Sequence, residues 1–406
     1  MSISIWQKDH REQELAYDAV VVGGGIVGCS TAYWLHRRQP SLRIAILEAH
    51  TLGAGASGRN AGFILQGGQA DYLSDVTQYG EQTARRLWHF TRANRDLLRS
   101  ELHGSAFGWR SDGSLTVAGS AEEDERLRAS LSHLRSAGAP VVYLEPDQVN
   151  ARLEATAFHG GLFMTTGATV DPLRLVRHIA ERSGADVHTQ QPVERVRWHG
   201  DNGAVLDTPE LRFGARRVVL ALGASLPSLV PSLSDTVRPV RAQMLATAPT
   251  DTTHIPVPVY SHHGGFYTRQ LGDGRVLVGG GRHQHKEAEE TSTEAVTPAV
   301  QASIERYLHR HFPWTQSLSI QQRWSGTMGF SPDGRPVVGR VPDHPESTFA
   351  TGFTGHGMGY GFRMGQLLAD LTCGTTQPEG IDLFAVSRFD DLEAATPSTT
   401  RQTAGH

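Results

Sequence analysis

The stretch "YDAVVVGGGIVGCSTAYWLHRR", residues 17–38, decides the fold. An apolar, β-branched run from Ala19 to Val22 enters Gly23, Gly25 and Gly28 in GxGxxG order, then leaves into a helical pattern from Ile26 to Arg38. Gly23 permits the tight turn, Gly25 lets a pyrophosphate approach the backbone, and Gly28 lets helix and strand pack closely. Ile26 and Val27, at the helix start, belong to the same candidate contact. A second strand, "RIAILE", ends at Glu48, twenty positions after Gly28 and next to Ala49, where a carboxylate can accept hydrogen bonds from a ribose diol. Glycine-rich turns are common, but strand, helix and spaced acid together predict a complete βαβ dinucleotide site. This pattern alone does not separate NAD from FAD.

Composition narrows the partners. A chain of 406 residues suffices for two domains with proper cores or one composite domain. The formal net charge is −4, and no basic stripe is interleaved with aromatics, which argues against nucleic acid as a partner. The two cysteines, Cys29 and Cys373, are too few for a disulfide framework or a zinc ribbon and suit a reducing compartment. The first twenty residues carry charge where a signal peptide needs an apolar run, and no apolar stretch approaches the roughly 20 residues of a membrane span. The reading is a cytoplasmic protein with a small-molecule ligand; its oligomeric state is open. Only Lys8 and Lys286 are lysines, and Lys8 lies in what reads as a flexible tail.

The next stretch, "GAGASGRNAGF" at 53–63, has four glycines and three alanines, too little side chain to build a core. With the residues before it, "AHTLGAGASGRNAGF" resembles the loop after the second strand in the D-amino-acid oxidase or glycine oxidase superfamily of flavoproteins. The small residues have a physical reason, since a flat isoalloxazine and its diphosphate need close main-chain approach. The resemblance implies FAD lying along Gly55, Ala56 and Ala61. Ser57 would offer a hydroxyl to phosphate, and Arg59 and Asn60 would stand near the ring and stabilise negative charge on the reduced form.

Three further segments follow in the family's order. Residues 165–196 resemble the helix and strand that return to the nucleotide domain, with Val193 where backbone meets adenine. "RRVVLALGASLPSLV" at 216–230 resembles a strand that ends beneath the FAD at Ala221, Leu222 and Gly223. "WSGTMGFSPDGRPVVGR" and "FATGFTGHGMGYGFRMGQLLADL" look like the paired segments that close over the flavin, with Gly355, His356, Gly357 and Met358 leading into a helix. The implied fold is α/β, α+β overall: a Rossmann-like FAD-binding domain over 16–80, 145–235 and 324–390, interleaved with an antiparallel-sheet substrate domain over 81–144 and 236–323. Residues 1–15 and 391–406 read as flexible tails. The family's covalent cysteine corresponds to about Gly326, and the loop at 53–63 holds no histidine, so FAD is expected to be non-covalent.

The resemblance also frames the substrate. Glycine-oxidase-like members hold a carboxylate with an arginine four positions beyond the motif tryptophan, and here that position is Met328. The segment looks closer to the γ-glutamylputrescine oxidase branch, whose substrates are amines, although Arg269 or Arg363 could replace the missing arginine. The candidate pocket residues are His263, Tyr267, Arg269, Met328 and Tyr360. A metal is not expected, because adjacent histidines in "YSHHGG", read as strand, point to opposite faces with no carboxylate beside them. The expected reaction is hydride transfer from a primary or secondary amine to flavin N5, with O2 reduced to H2O2 and His263 a candidate proton acceptor. The alternatives are a dehydrogenase of a D- or N-methyl amino acid that uses another electron acceptor, and a non-enzymatic module. Sarcosine-oxidase-like members carry a lysine near N5 for oxygen, but here Leu277 stands at about its place and Lys286 is expected in solvent.

Overall fold

The computed structural model describes residues 14–67, 72–375 and 377–389. Lys8 and most of the two expected tails lie outside them. In chain order the strands are β1 (Glu14–Val22), β2 (Ile44–Leu47), β3 (Phe63–Ile64), β4 (Ser114–Val117), β5 (Val141–Leu144), β6 (Gly161–Met164), β7 (Ala168–Thr169), β8 (Asp186–His188) and β9 (Arg195–Trp198). They continue as β10 (Ala204–Asp207), β11 (Arg212–Leu220), β12 (Arg238–Thr247), β13 (Val259–Ser261), β14 (Phe266–Gln270), β15 (Val276–Gly280), β16 (Ile320–Phe330), β17 (Val337–Val341) and β18 (His344–Thr351). The helices of ten or more described residues are α1 (Ile26–Arg38), α2 (Glu81–Leu102), α3 (Ala121–Ser136), α4 (Pro172–Glu181), α5 (Pro298–His311) and α6 (Gly357–Thr372).

The first sheet runs β17-β18-β11-β1-β2-β8, with β10 and β9 attached beside β11. Its centre is parallel, and β1 is apolar on both faces for that reason. Ala19 and Val21 enter one core with α1, α4 and α6, while Val20 and Val22 enter a second with Val218, Leu220 and Phe349. Glu14 and Leu15, expected in the tail, open β1 against Arg212 and Phe213, because pairing with β11 extends that far.

Helices α1 and α6 cross in close contact. A Cβ on Gly365 would lie 2.4 Å from that of Ser30, and one on Gly361 would lie 2.8 Å from Ile26 Cγ1. This approach brings the N-terminal ends of both helices to one side of the sheet. Asn94 of α2, fully buried, fixes the start of α6 by donating to Met358 O and accepting from Phe362 and Arg363 N–H.

The second sheet runs β16-β12-β15-β14-β13-β4-β6-β5 and is antiparallel except between β13 and β4. One face packs Leu115, Val259, Phe266, Val276 and Val278 against Val300, Ile304 and Tyr307 of α5. The sheet takes in β6 and β16, of which Gly161–Met164 and Trp324–Phe330 were assigned by sequence to the nucleotide side. The reason is register: β16 pairs with β12 from Arg238↔Phe330 to Thr247↔Ile320. Beneath β12, a buried carboxylate on Glu289 receives Arg241 Nη2 at 2.6 Å and both bonds of Gln243 Nε2 at 3.0 Å.

Candidate active site

Between the two sheets lies a cavity of about 900 Å³. Every residue nominated for the nucleotide contact lines it except Gly28. Gly28 packs the helix closely on the turn, the role its place in the motif implies, since an added Cβ would stand 1.9 Å from Gly23 O. Gly23 itself has φ +112°, and a Cβ there would meet Ala221 O at 2.4 Å. By contrast, a Cβ at Gly55 or Gly223 meets nothing within 4 Å and would enter the cavity.

Two helix starts face this space. Neither α1 nor α6 has an acidic residue in its first turn or a side-chain cap on its N-cap residue. Ser57 Oγ accepts from Ile26 N–H at 2.9 Å, which leaves the hydroxyl proton for a ligand and the next amides of α1 open. Uncapped N-terminal amides with their partial positive charge suit a diphosphate. Glu48 Oε2 accepts from Gly24 N–H at 2.7 Å and Oε1 from His50 N–H at 2.9 Å. Each oxygen retains a lone pair for a diol.

Two expected charge stabilisers have other partners. Arg59 donates through Nε to Ala54 O at 2.6 Å and through Nη1 to Ser325 O at 3.0 Å, and it pairs with Glu294 at 2.7 Å. Asn60 donates to Ala56 O and Ser57 O and accepts from Gly62 N–H. Both side chains shape the loop, because its own carbonyls lie nearest. Trp324 Nε1 adds a bond to Arg59 O at 2.9 Å, tying β16 to the same loop.

On the second sheet one transverse row faces the cavity. Register places Met244 opposite Gly279, then Tyr267, Tyr260, Thr116 and Leu162 in succession. Met244, Tyr267, Tyr260, Thr116 and Leu162 all line the space. Burial pushes the Tyr267 phenol up to about 12 and raises that of Tyr260 further, so both remain protonated donors. Neither hydroxyl has a hydrogen-bond partner among the described residues.

Met328 lines the cavity, as does His263 at its rim, half-exposed. His262 and His263 do not extend β13 but sit in the hairpin turn, with φ of 54° and 52°. Such left-handed non-glycine residues are strained. The buried carboxylate of Glu123 holds the turn, accepting from His263 N–H at 2.6 Å and Gly119 N–H at 2.7 Å. His262 is burial-neutralised, its pKa lowered to about 4.

Three other nominations fall outside the cavity lining. Arg269 is buried and donates to Ala61 O at 2.8 Å and Val170 O at 2.9 Å, pinning the small β3–β7 sheet. Arg363 lies over Phe90 and bonds Gln366 and Glu379. Tyr360 packs between Phe90 and Phe384, because rotation of about 100° per residue along α6 turns it from the cavity faced by Gly357 to Gly359. Residues that sequence reasoning missed are Tyr260, Thr116, Leu162 and Arg282. Their only signal is cross-strand register, which a single sequence does not display.

A cavity with a glycine wall, two open helix starts and a spaced carboxylate fits a flavin dinucleotide. Residues 18–371 match the model of the DAO family, described as FAD dependent oxidoreductase. The chain belongs to this family. It is 28% identical over 373 residues to a glycine oxidase of Geobacillus kaustophilus, covering 88% of this chain and 90% of that one. It is 25% identical over 390 residues to a gamma-glutamylputrescine oxidoreductase of Escherichia coli, covering 93% and 88%. The crystal structure of glycine oxidase from Geobacillus kaustophilus superposes with a TM-score of 0.79 at 24% identity, over 92% of this chain and 99% of that one, a likeness of fold. This flavoenzyme is therefore an FAD-dependent oxidoreductase of a family acting on amines or amino acids. No helix among its described residues is long and apolar enough to cross a membrane.

Proposed function

We propose that the enzyme oxidises the C–N bond of a primary or secondary amine and binds FAD non-covalently in the glycine-walled half of the cavity. The observation that carries this reading is the convergence of two helix starts that hold no acidic residue and no N-cap side-chain bond with the Tyr267–Tyr260–Thr116 row on one space. When bound, FAD would supply a two-electron acceptor for the hydride that leaves the carbon beside nitrogen as the nitrogen lone pair closes the C=N bond; water then hydrolyses the imine to a carbonyl product and the released amine or ammonia.

The chain's own residues divide the remaining work. The amides at the starts of α1 and α6 and the Ser57 hydroxyl hold the diphosphate and pyrimidine edge, Glu48 holds the ribose, and Val193 with Ala221–Gly223 supplies backbone surface. The second sheet with its covering helices is the substrate layer. Tyr267 and Tyr260 donate hydrogen bonds that orient the substrate, Met328 supplies an apolar wall, and the half-exposed His263 passes the amine's proton to solvent.

Oxygen is the lead acceptor, and a specific observation favours the dehydrogenase alternative. Lys286 is exposed, Leu277 packs in an apolar cluster, and the Arg59 charge is paired with Glu294, so among the described residues no lysine supplies fixed charge to help oxygen take electrons. The test is anaerobic: the purified yellow protein is mixed with amines, N-methyl amino acids and D-amino acids. Bleaching of the flavin by at least one of them supports the reading. No bleaching by any, in protein that a chemical reductant does bleach, refutes it.

A further inference from the structure

The cavity extends well past the place where the glycine-rich loop meets the second sheet. That loop ends at Ala61 and Phe63, which pack with Met244, Tyr260 and Tyr267 at one end of the transverse row. The other end, Thr116 and then Leu162, lies roughly 10 Å beyond Tyr260, two strand spacings across β4 and β6. Ser114 and Met164, paired two residues along the same strands, share that face and also line the space. Helix α3 covers this patch with Leu127, Ser130 and Leu134, whose spacing of three and four puts them on one side of the helix. Trp88 of α2 and Tyr72 complete the arm, their rings in edge contact at 6.0 Å and 83°.

Two properties of this arm restrict what it can take. Its described lining holds no charged residue, whereas Glu48, Arg59 and Arg282 all line the remainder of the cavity. It also carries hydrogen-bond donors that are buried and unpartnered: the indole Nε1 of Trp88, the hydroxyl of Tyr72 and Nε2 of Gln66, whose amide oxygen is already taken by Thr166. Trp88 is 2% and Tyr72 5% exposed, so water does not readily relieve them. Ser130 Oγ is spent on Leu127 O at 2.8 Å. Buried donors of this kind are costly until an acceptor reaches them.

We propose that this arm receives the uncharged tail of the amine substrate, apolar along its length and ending in a neutral hydrogen-bond acceptor such as an ether or carbonyl oxygen. This rests on the amine-oxidising reading above and names its substrate class. The reacting carbon lies at the Tyr267–Tyr260 end, and the tail runs past Thr116 beneath α3 to the donors of Trp88, Tyr72 and Gln66. A tail ending in a carboxylate or ammonium would be withdrawn from water with no opposite charge lining the arm.

The experiment measures binding to the FAD-loaded protein by equilibrium dialysis, with butylamine, octylamine and 6-methoxyhexylamine, an ether whose chain matches octylamine in length. Each buried methylene is worth about fourfold in affinity, so the wild type is expected to bind octylamine at least about tenfold more tightly than butylamine. The ether should bind within about threefold of octylamine, because an arm without free donors would leave its oxygen unpaired. Ser130→Phe, which fills the arm from α3, should bring octylamine to about the level of butylamine while butylamine binds as before, and the smaller Ser130→Leu should remove part of the gain. Trp88→Phe, which deletes the indole N–H, should weaken the ether about fivefold relative to octylamine. Octylamine bound no more tightly than butylamine by the wild type, or an undiminished preference in both Ser130 variants, overturns the inference. An ether bound beyond that margin more weakly than octylamine, or an equal response of the two to Trp88→Phe, overturns it as well. Failure of every amine and amino acid to bleach the flavin would refute the parent reading while leaving these binding ratios intact.

Discussion

Along the nucleotide wall a Cβ added at Gly55 or Gly223 meets nothing, and the donors are main-chain amides at two helix starts. Across the cavity the surface is Met244, Tyr267, Tyr260, Thr116 and Leu162, each from a different strand of the second sheet. The first wall is built of backbone brought together by short loops, so few substitutions can retune it without losing the cofactor. The second is built of side chains on a register-fixed sheet, where one residue can change without moving its neighbours. The contrast predicts that cofactor and substrate recognition are separable by mutation.

The largest effect should come from filling the backbone wall. Gly55→Leu sends a side chain into open cavity from an ordinary φ of −79°, so melting of the apo-protein should be nearly unchanged while the purified protein is colourless. Retained stoichiometric FAD would break the comparison at its first term. Gly28→Ala is the counterpart: its Cβ meets Gly23 O at 1.9 Å, and overpacking of this kind costs about 3 kcal/mol. It should lower the melting temperature by several degrees even without FAD, which calorimetry would check.

Glu48→Ala is expected to have a smaller effect. It removes one or two charge-assisted bonds of about 1.5–3 kcal/mol each to the ribose and releases Gly24 and His50 N–H. FAD occupancy after extensive dialysis should fall while the fold remains. Full retention would remove Glu48 from the cradle.

The smallest effect concerns the rim and pH. His262 has its pKa lowered to about 4 by burial, against 6.5 for the free group, and burial lowers His283 and His311 in the same direction. Below 6.5 the unfolded chain takes up protons that the folded chain refuses, so stability present above 6.5 is lost as pH falls toward about 4. Melting curves from pH 7 to 5 should therefore decline, and His262→Phe should decline less steeply. Parallel slopes would show that His262 is protonated in the folded protein.

The same contrast explains what the sequence revealed. The glycine turn, α1, Glu48 and the 53–63 loop are contiguous or short-range, so spacing alone placed them together. Sequence alone points Arg59 and Asn60 toward the ligand, because it does not show that the loop's own carbonyls, Ala54, Ala56 and Ser57, accept their hydrogen bonds. The strand that carries Arg269 places it, by sequence, beside the pocket. It lies on the same face as Tyr267 but two residues farther along, where Ala61 O and Val170 O meet it. Tyr260, Thr116 and Arg282 depend on which strand neighbours which, including the parallel β13–β4 pairing across more than a hundred residues, and no local pattern encodes that.

Division of the cavity into a flavin wall and a substrate wall is tested most directly by Thr116→Trp, which places a large ring in the row opposite Tyr260 and Leu162. The measurement is FAD content together with the anaerobic rate of flavin bleaching by whichever amine reduces the wild type. Full FAD content with bleaching slowed at least tenfold is the predicted result, and loss of FAD or an unchanged bleaching rate would contradict the account.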